Sequence, residues 1–280
     1  MSSTNFQVNW DSLNSGGDDI SSSTNFRLRD TVGEQATGFS SSTNFTVSAG
    51  YRTGDAVEAI LSFRIGTQEN ATQASYSAFS NAGKTVTVGT TSSYSNGDLI
   101  GVVENLGLSQ IIAVGRITNI SGSVITVDQW DGSPASLSAS PSGGDDFVYR
   151  LGGFSAELGT LSASTGKTSL TATRVTSDAT NGYTVYVNDD GNLRVNTSTF
   201  ILDVSDGAVN VGSEEYGWRV FGTVATSANP FTTSTQAIQA QTTSTSSEQR
   251  VGLVYKASIS PATAAGNYSH IVFYTLTANY

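Results

Sequence analysis

Apolar residues in this chain recur two apart, and no long stretch repeats them at three and four. Side chains alternate faces along a strand, whereas a helix brings every third or fourth residue to one side. The spacing therefore points to strands. Short β-branched runs bounded by Gly, Asn, Asp and Ser follow one another from end to end. The expectation is an all-β chain.

A repeat sits on this pattern. Ser2-Ser3-Thr4-Asn5-Phe6, Ser22-Ser23-Thr24-Asn25-Phe26 and Ser41-Ser42-Thr43-Asn44-Phe45 recur at spacings of 20 and 19 residues. Each copy reads as a polar turn feeding a strand. Its apolar residues share one face: Phe6, Val8 and Trp10; Phe26 and Leu28; Phe45, Val47 and Ala49. A stripe of two or three residues cannot bury itself. It needs a sheet edge or groove belonging to something else, in its own chain or in another.

The rest of the chain divides by strand length. A strong strand at 59–65 precedes five short strands, within 85–151, joined by turns such as Asn96-Gly97-Asp98. That density suggests a small barrel or compact sheet. From Phe154 the strands lengthen, with candidates at 154–161, 169–175, 182–188, 200–204, 216–222, 250–257 and 268–280. Seven strands over this span fit an immunoglobulin-like β-sandwich. The organisation expected is an extended N-terminal β-strand arm of three repeats at 1–56, a sandwich from 57–67 plus 151–280, and an inserted barrel-like domain at 68–150. The hydroxyl-rich stretch 225–248 reads as a long surface loop.

Charge excludes some partners. The chain of 280 residues carries 23 acidic against 13 basic side chains, a net charge of −10. No basic stripe is present to bind nucleic acid or anionic lipid. No run of some 20 apolar residues offers a membrane span. Cysteine is absent, so disulfides, thiolate nucleophiles and zinc–thiolate sites are excluded. Met1 leads straight into Ser-Ser-Thr-Asn, so the chain reads as either cytoplasmic or a mature form whose leader was removed, and the Ser/Thr/Asn-rich, Lys-poor composition favours the extracellular reading.

Catalytic patterns are weak. His270, the single histidine, has no Gly-x-Ser-x-Gly elbow beside it and reads as a solvated residue at a strand end. Adjacent carboxylates at Asp18-Asp19, Asp145-Asp146, Asp189-Asp190 and Glu214-Glu215 read as turn chemistry. A glycosidase would instead draw its two carboxylates from separate strands. No cofactor is expected, although the Asp-rich loops at 16–19, 143–146 and 188–192 offer oxygen ligands for a structural calcium ion. An amide staple from Lys84, Lys167 or Lys256 to an asparagine such as Asn279 is possible, but a solvated lysine is the plainer reading. Five Asn-x-Ser/Thr sites, at Asn44, Asn70, Asn119, Asn196 and Asn267, fit chance in such a composition. Trp130, in a turn beside Asp131-Gly132, reads as the more exposed tryptophan; Trp218, mid-strand, reads as core.

The pattern Phe-x-Val-x-Trp-Asp-Ser-Leu-Asn-x-Gly-Gly at 6–17, with Asp30-Thr31-Val32-Gly33-Glu34-Gln35-Ala36-Thr37-Gly38 and Ala49-Gly50-Tyr51-Arg52, resembles secreted surface proteins of candidate-phylum bacteria. Ala179 through Val187 and Ala265 through Tyr280 resemble their Ig-like C-terminal domain. The likeness covers about half the chain and implies no established activity. More loosely, an all-β subunit with a strand-like arm resembles pilus and matrix-fibre subunits assembled by donor-strand exchange, which commonly carry a disulfide that this chain lacks. That likeness implies a pilus-like role.

A non-enzymatic, extracellular structural subunit is therefore expected, one that self-assembles into a surface filament with other copies of itself. Phe6, Val8, Trp10, Phe26, Leu28, Phe45 and Val47 are the expected strand-donor residues. The alternative is a monomeric cell-surface adhesin or glycan-binding module meeting surface glycans or host cells.

Overall fold

The computed structural model describes residues 21–23, 26–28, 38–41, 46–49, 61–108, 110–141, 143–222 and 231–279. The chain divides into two units, Met1–Ala59 and Ile60–Tyr280. No α-helix occurs among the described residues, and the sheets are antiparallel.

In the first unit, β1 (Ser21–Ser23) pairs with β2 (Phe26–Leu28), and β3 (Gly38–Ser41) pairs with β4 (Thr46–Ala49). Ser21–Ser23 and Gly38–Ser41, ahead of the second and third repeats, are thus strands in their own right. Ser23 lies opposite Phe26, Ser21 opposite Leu28, and Ser40 opposite Val47. In place of one extended arm, the described residues form two hairpins. Pairing with a neighbouring strand satisfies backbone groups that a lone extended arm would leave open.

The second unit opens with β5 (Leu61–Gln68). It continues through β6 (Ala74–Ser80), β7 (Thr85–Val88), β8 (Leu99–Glu104), β9 (Ile111–Ser121), β10 (Val124–Val127), β11 (Asp131–Gly132) and β12 (Phe147–Gly153). The pairings β6–β7, β7–β10, β10–β9, β9–β8, β8–β12 and β12–β6 close a ring. A closed ring leaves no free edge. Alternate residues such as Val86, Ile100, Val102, Ile125 and Val148 fill it. Trp130 joins this core, its ring 5.1 Å from that of Phe79, and is 8% exposed. The expectation of an exposed tryptophan fails because its turn folds inward over the ring.

The remaining strands are β13 (Lys167–Ser177), β14 (Tyr183–Asp189), β15 (Leu193–Asn196), β16 (Thr199–Ile201), β17 (Glu215–Phe221), β18 (Gln236–Gln241), β19 (Thr245–Ser258) and β20 (Val272–Ala278). One sheet runs β5-β13-β19-β17, and a second runs β18-β14-β20. Trp218, Tyr183, Val185, Ile238, Val251 and Leu253 form the core between them. Trp218 is fully buried, as its mid-strand position suggested.

Two element expectations are corrected. Residues 154–161 form no strand. Within 225–248, β18 and the start of β19 replace the expected loop. The polarity of that segment hid its burial. Gln239 is fully buried, donating from Nε2 to the Tyr183 hydroxyl at 3.0 Å and accepting from Thr173 Oγ1 at 3.0 Å. Satisfied in this way, a glutamine can occupy a core.

The far face of the four-stranded sheet packs on the ring through Leu170, Ala172, Phe221 and Val254 against Leu99, Ile112, Val114 and Tyr149. Strand β12 belongs to the ring and also pairs with β5, at Gln68 and Thr67. Across the same junction Arg250, 1% exposed at its side chain, binds Asp128, Asp131 and Glu248. Burial of that guanidinium is tolerable only because carboxylates surround it.

Candidate functional site

Strand β20 pairs with β14 on one side only, among the described residues. Its opposite edge carries unpaired backbone groups. The Asn279 amide donates to Gly182 O at 2.8 Å. By antiparallel alternation, the amides of Val272, Tyr274, Leu276 and Ala278 point to the open edge. The inward side chains of β14, Tyr183, Val185 and Val187, are fully buried. Those of β20 on the same core, Val272, Tyr274 and Leu276, are only partly buried. The core therefore reaches solvent beside β20.

The facing sheet ends similarly. Strand β5 pairs with β13 along Leu61–Thr67 but with β12 only at Thr67 and Gln68. Residues 61–66 thus keep a free edge among the described residues. Phe63 is half-buried and Ile65 is 37% exposed.

Between these edges lies a cleft of about 1150 Å³, bounded by Ile65, Leu158, Leu161, Ile259, Tyr268 and Tyr274 among others. The irregular segment 153–161 runs along it. Phe154 at its rim is 99% exposed, and Ile271 and Phe273 are 58% and 45% exposed. Two open strand edges thus flank a part-apolar cleft, which combines free backbone groups with side-chain pockets, the two features that strand addition uses.

The cleft floor carries a polar chain. His270 Nδ1 lies 2.9 Å from Gly191 O, and its Nε2 lies 2.8 Å from the Tyr216 hydroxyl. A nitrogen facing a carbonyl must carry the proton, so Nε2 accepts from Tyr216 when the ring is neutral. Tyr216 stacks on Tyr255 at 6.3 Å, and the Tyr255 hydroxyl meets that of Tyr274. Burial holds all three phenols above their ordinary pKa, so they remain neutral. Asp189 Oδ2 lies 3.8 Å from His270 Nδ1 and has no hydrogen-bond partner. Burial pushes the Asp189 and Asp203 carboxyls up.

The expectation of a solvated histidine is corrected: the His270 side chain is 5% exposed. Both its nitrogens are engaged in tying β20's approach to Gly191 and to β17. Lys256, also expected in solvent, is 8% exposed.

Two of the described acidic loops do local work. Asp146 accepts from the amides of Asn105 and Gly143. Asp190 pairs with Arg194 and accepts from the Ile271 amide. Among the described residues no three His, Asp or Glu converge on a metal position.

Of the expected strand-donor residues, Phe26 and Leu28 lie on β2, and Val47 lies on β4. Phe6, Val8, Trp10 and Phe45 lie outside the described residues. The sequence reading missed the cleft residues of β20. Their signal was present: Ile271-Val272-Phe273-Tyr274 is apolar on both faces of one strand, so both faces seek cover.

Neither a family model, a curated protein nor a solved structure matches the chain.

Proposed function

We propose that this chain is an extracellular structural subunit that self-assembles into a pilus-like surface filament. A hairpin from the N-terminal unit of one copy adds to the open edges in the second unit of the next. In this reading the facing sheets are an Ig-like sandwich lacking one strand, and the closed ring is a small inserted barrel. The resemblance to secreted surface proteins of candidate-phylum bacteria supports the same setting.

One observation carries the reading. Among the described residues the chain holds an unpaired edge over a half-exposed core, and also two-stranded hairpins with strands of only three and four residues. Isolated two-stranded hairpins are at best marginally stable in water and need a further sheet. Donor and acceptor therefore each lack what the other supplies. Because they are different surfaces of one molecule, the contact is heterologous, the kind that builds an open filament wherever its rotation does not close into a ring.

The test is deletion of residues 1–50 followed by negative-stain microscopy. The full chain is expected to form fibres and the truncated chain to remain monomeric. Fibres of unchanged appearance from the truncated chain would overturn the proposal.

A further inference from the structure

The other face of the four-stranded sheet holds two cations without acidic partners. Arg219 lies opposite Val254 in the β17–β19 pairing, and Lys256 lies opposite Gly217. The two are diagonal neighbours on one face. The Arg219 guanidinium carbon stands 4.8 Å from the Phe221 ring centroid and 5.6 Å from that of Phe231. Lys256 Nζ stands 5.9 Å from the same Phe231 centroid. Both cations thus converge on one aromatic ring.

No carboxylate answers them among the described residues. Glu215, on the strand of Arg219, accepts from the Asn210 amide. Glu248, on the strand of Lys256, binds Arg250 and Arg116. Lys167, on the adjacent strand β13, lies opposite Ala257 and so points to the other face. Arg219 Nε is buried with no hydrogen-bond partner. Thr168, directly across from Lys256 on β13, has a buried hydroxyl with no partner either. Lys256 is 8% exposed. Burial lowers the pKa of both cations, and Arg219 lowers that of Lys256 further. Cation–π contact offsets part of this cost but does not neutralise charge. In a chain of net charge −10, a buried lysine and a part-buried arginine beside unpaired donors are an arrangement that an anion completes.

We infer that Arg219, Lys256 and Thr168 form a binding site for a doubly charged oxyanion, a sulfate or phosphate group. It is independent of the cleft and of the filament reading. The group is either a free ion or an ester on a polysaccharide, and both present the same tetrahedral oxygens.

Calorimetric titration of the full chain tests this with sodium sulfate, with sodium phosphate, and with a sulfated oligosaccharide beside its desulfated form. Sodium chloride holds ionic strength constant. Saturable binding of an oxyanion is expected, weakened roughly tenfold or more in Arg219→Gln and in Lys256→Gln, which is about 1.4 kcal/mol. Lys256→Arg is expected to retain it. A free-ion site binds the inorganic salts as tightly as the oligosaccharide; an ester site favours the sulfated oligosaccharide alone. The three lysines are Lys84, Lys167 and Lys256. Saturating sulfate should therefore slow acetylation of Lys256 alone in the wild-type chain, a readout that stands even if a variant fails to fold. No saturable binding by wild type, equal binding by the glutamine variants, or equal slowing at all three lysines would overturn the inference.

Discussion

The Tyr255 hydroxyl meets the Tyr274 hydroxyl across the gap between the facing sheets, linking β19 to the open-edged β20. Tyr255 also stacks on Tyr216, which donates to His270. The pair is therefore one end of the polar chain under the cleft.

Removing either hydroxyl strands the other. Tyr274→Phe or Tyr255→Phe alone is expected to cost about 1–3 kcal/mol, the penalty of an unsatisfied buried polar group. The double variant should cost less than the sum of the two. Urea denaturation of the four chains in a mutant cycle measures the coupling. Strict additivity would show that the hydroxyls do not interact.

Arg250 locks the ring to the four-stranded sheet. Its guanidinium donates to Asp128, Asp131 and Glu248. Arg250→Met should destabilise the second unit by about 3 kcal/mol, because the buried Asp131 and the partly exposed Asp128 and Glu248 lose their counter-charge. Adding Asp131→Asn should recover part of the loss. A Tm unchanged in Arg250→Met would contradict this.

Acid should loosen the same junction. Burial pushes the Asp128 and Glu248 carboxyls up, but hydrogen bonds and charge from Arg250, with Arg116 beside it, outweigh burial and hold both below the ordinary range. Stability from a depressed carboxyl is present above its unfolded pKa, about 4, and is lost as pH falls through the folded value. Asp203 has the opposite sign. Burial raises its pKa despite the Thr233 hydroxyl and the His270 charge, so its contribution weakens as pH rises past about 4. Thermal melts from pH 3 to pH 7 should show a flatter acid limb in Asp128→Asn. Asp203→Asn should show a higher Tm at pH 7.

Gly66 separates packing from backbone strain. A Cβ there would stand 2.4 Å from the Leu151 carbonyl oxygen, where β12 crosses β5. A backbone atom cannot swing away, so Gly66→Ala should cost about 1–3 kcal/mol or more. At Gly97, φ is +91° and nothing lies within 4 Å of the added carbon. Gly97→Ala should cost only the backbone term, about 1 kcal/mol. The ordering of the two Tm values checks this.

The all-β class was legible because alternation along strands such as Val86, Val88 and Ile125, Val127 carries its own period. Turn residues located most strand ends between 85 and 151. Two things were hidden. The strand Gln236–Gln241 was masked by amides and hydroxyls, because satisfying a buried Gln239 needs Thr173 and Tyr183 from distant segments. The cleft was hidden for a related reason. An open edge is a property of pairing, and the sequence of β20 does not say that β14 will be its sole partner. The burial of His270 and Trp130 likewise depends on contacts with Tyr216 and Phe79, far away in the chain.

In the proposed filament the edge of β20 is completed by another copy. Amide hydrogen exchange on a mixture tests it most directly: a ¹⁵N-labelled chain lacking residues 1–59 is mixed with the unlabelled full chain. The account predicts that the labelled Val272, Tyr274 and Leu276 amides, which face the open edge, become protected as the full chain is added. If they exchange as fast in the mixture as alone, while the same amides are protected in the full chain by itself, the hairpins dock within their own molecule and the filament account fails.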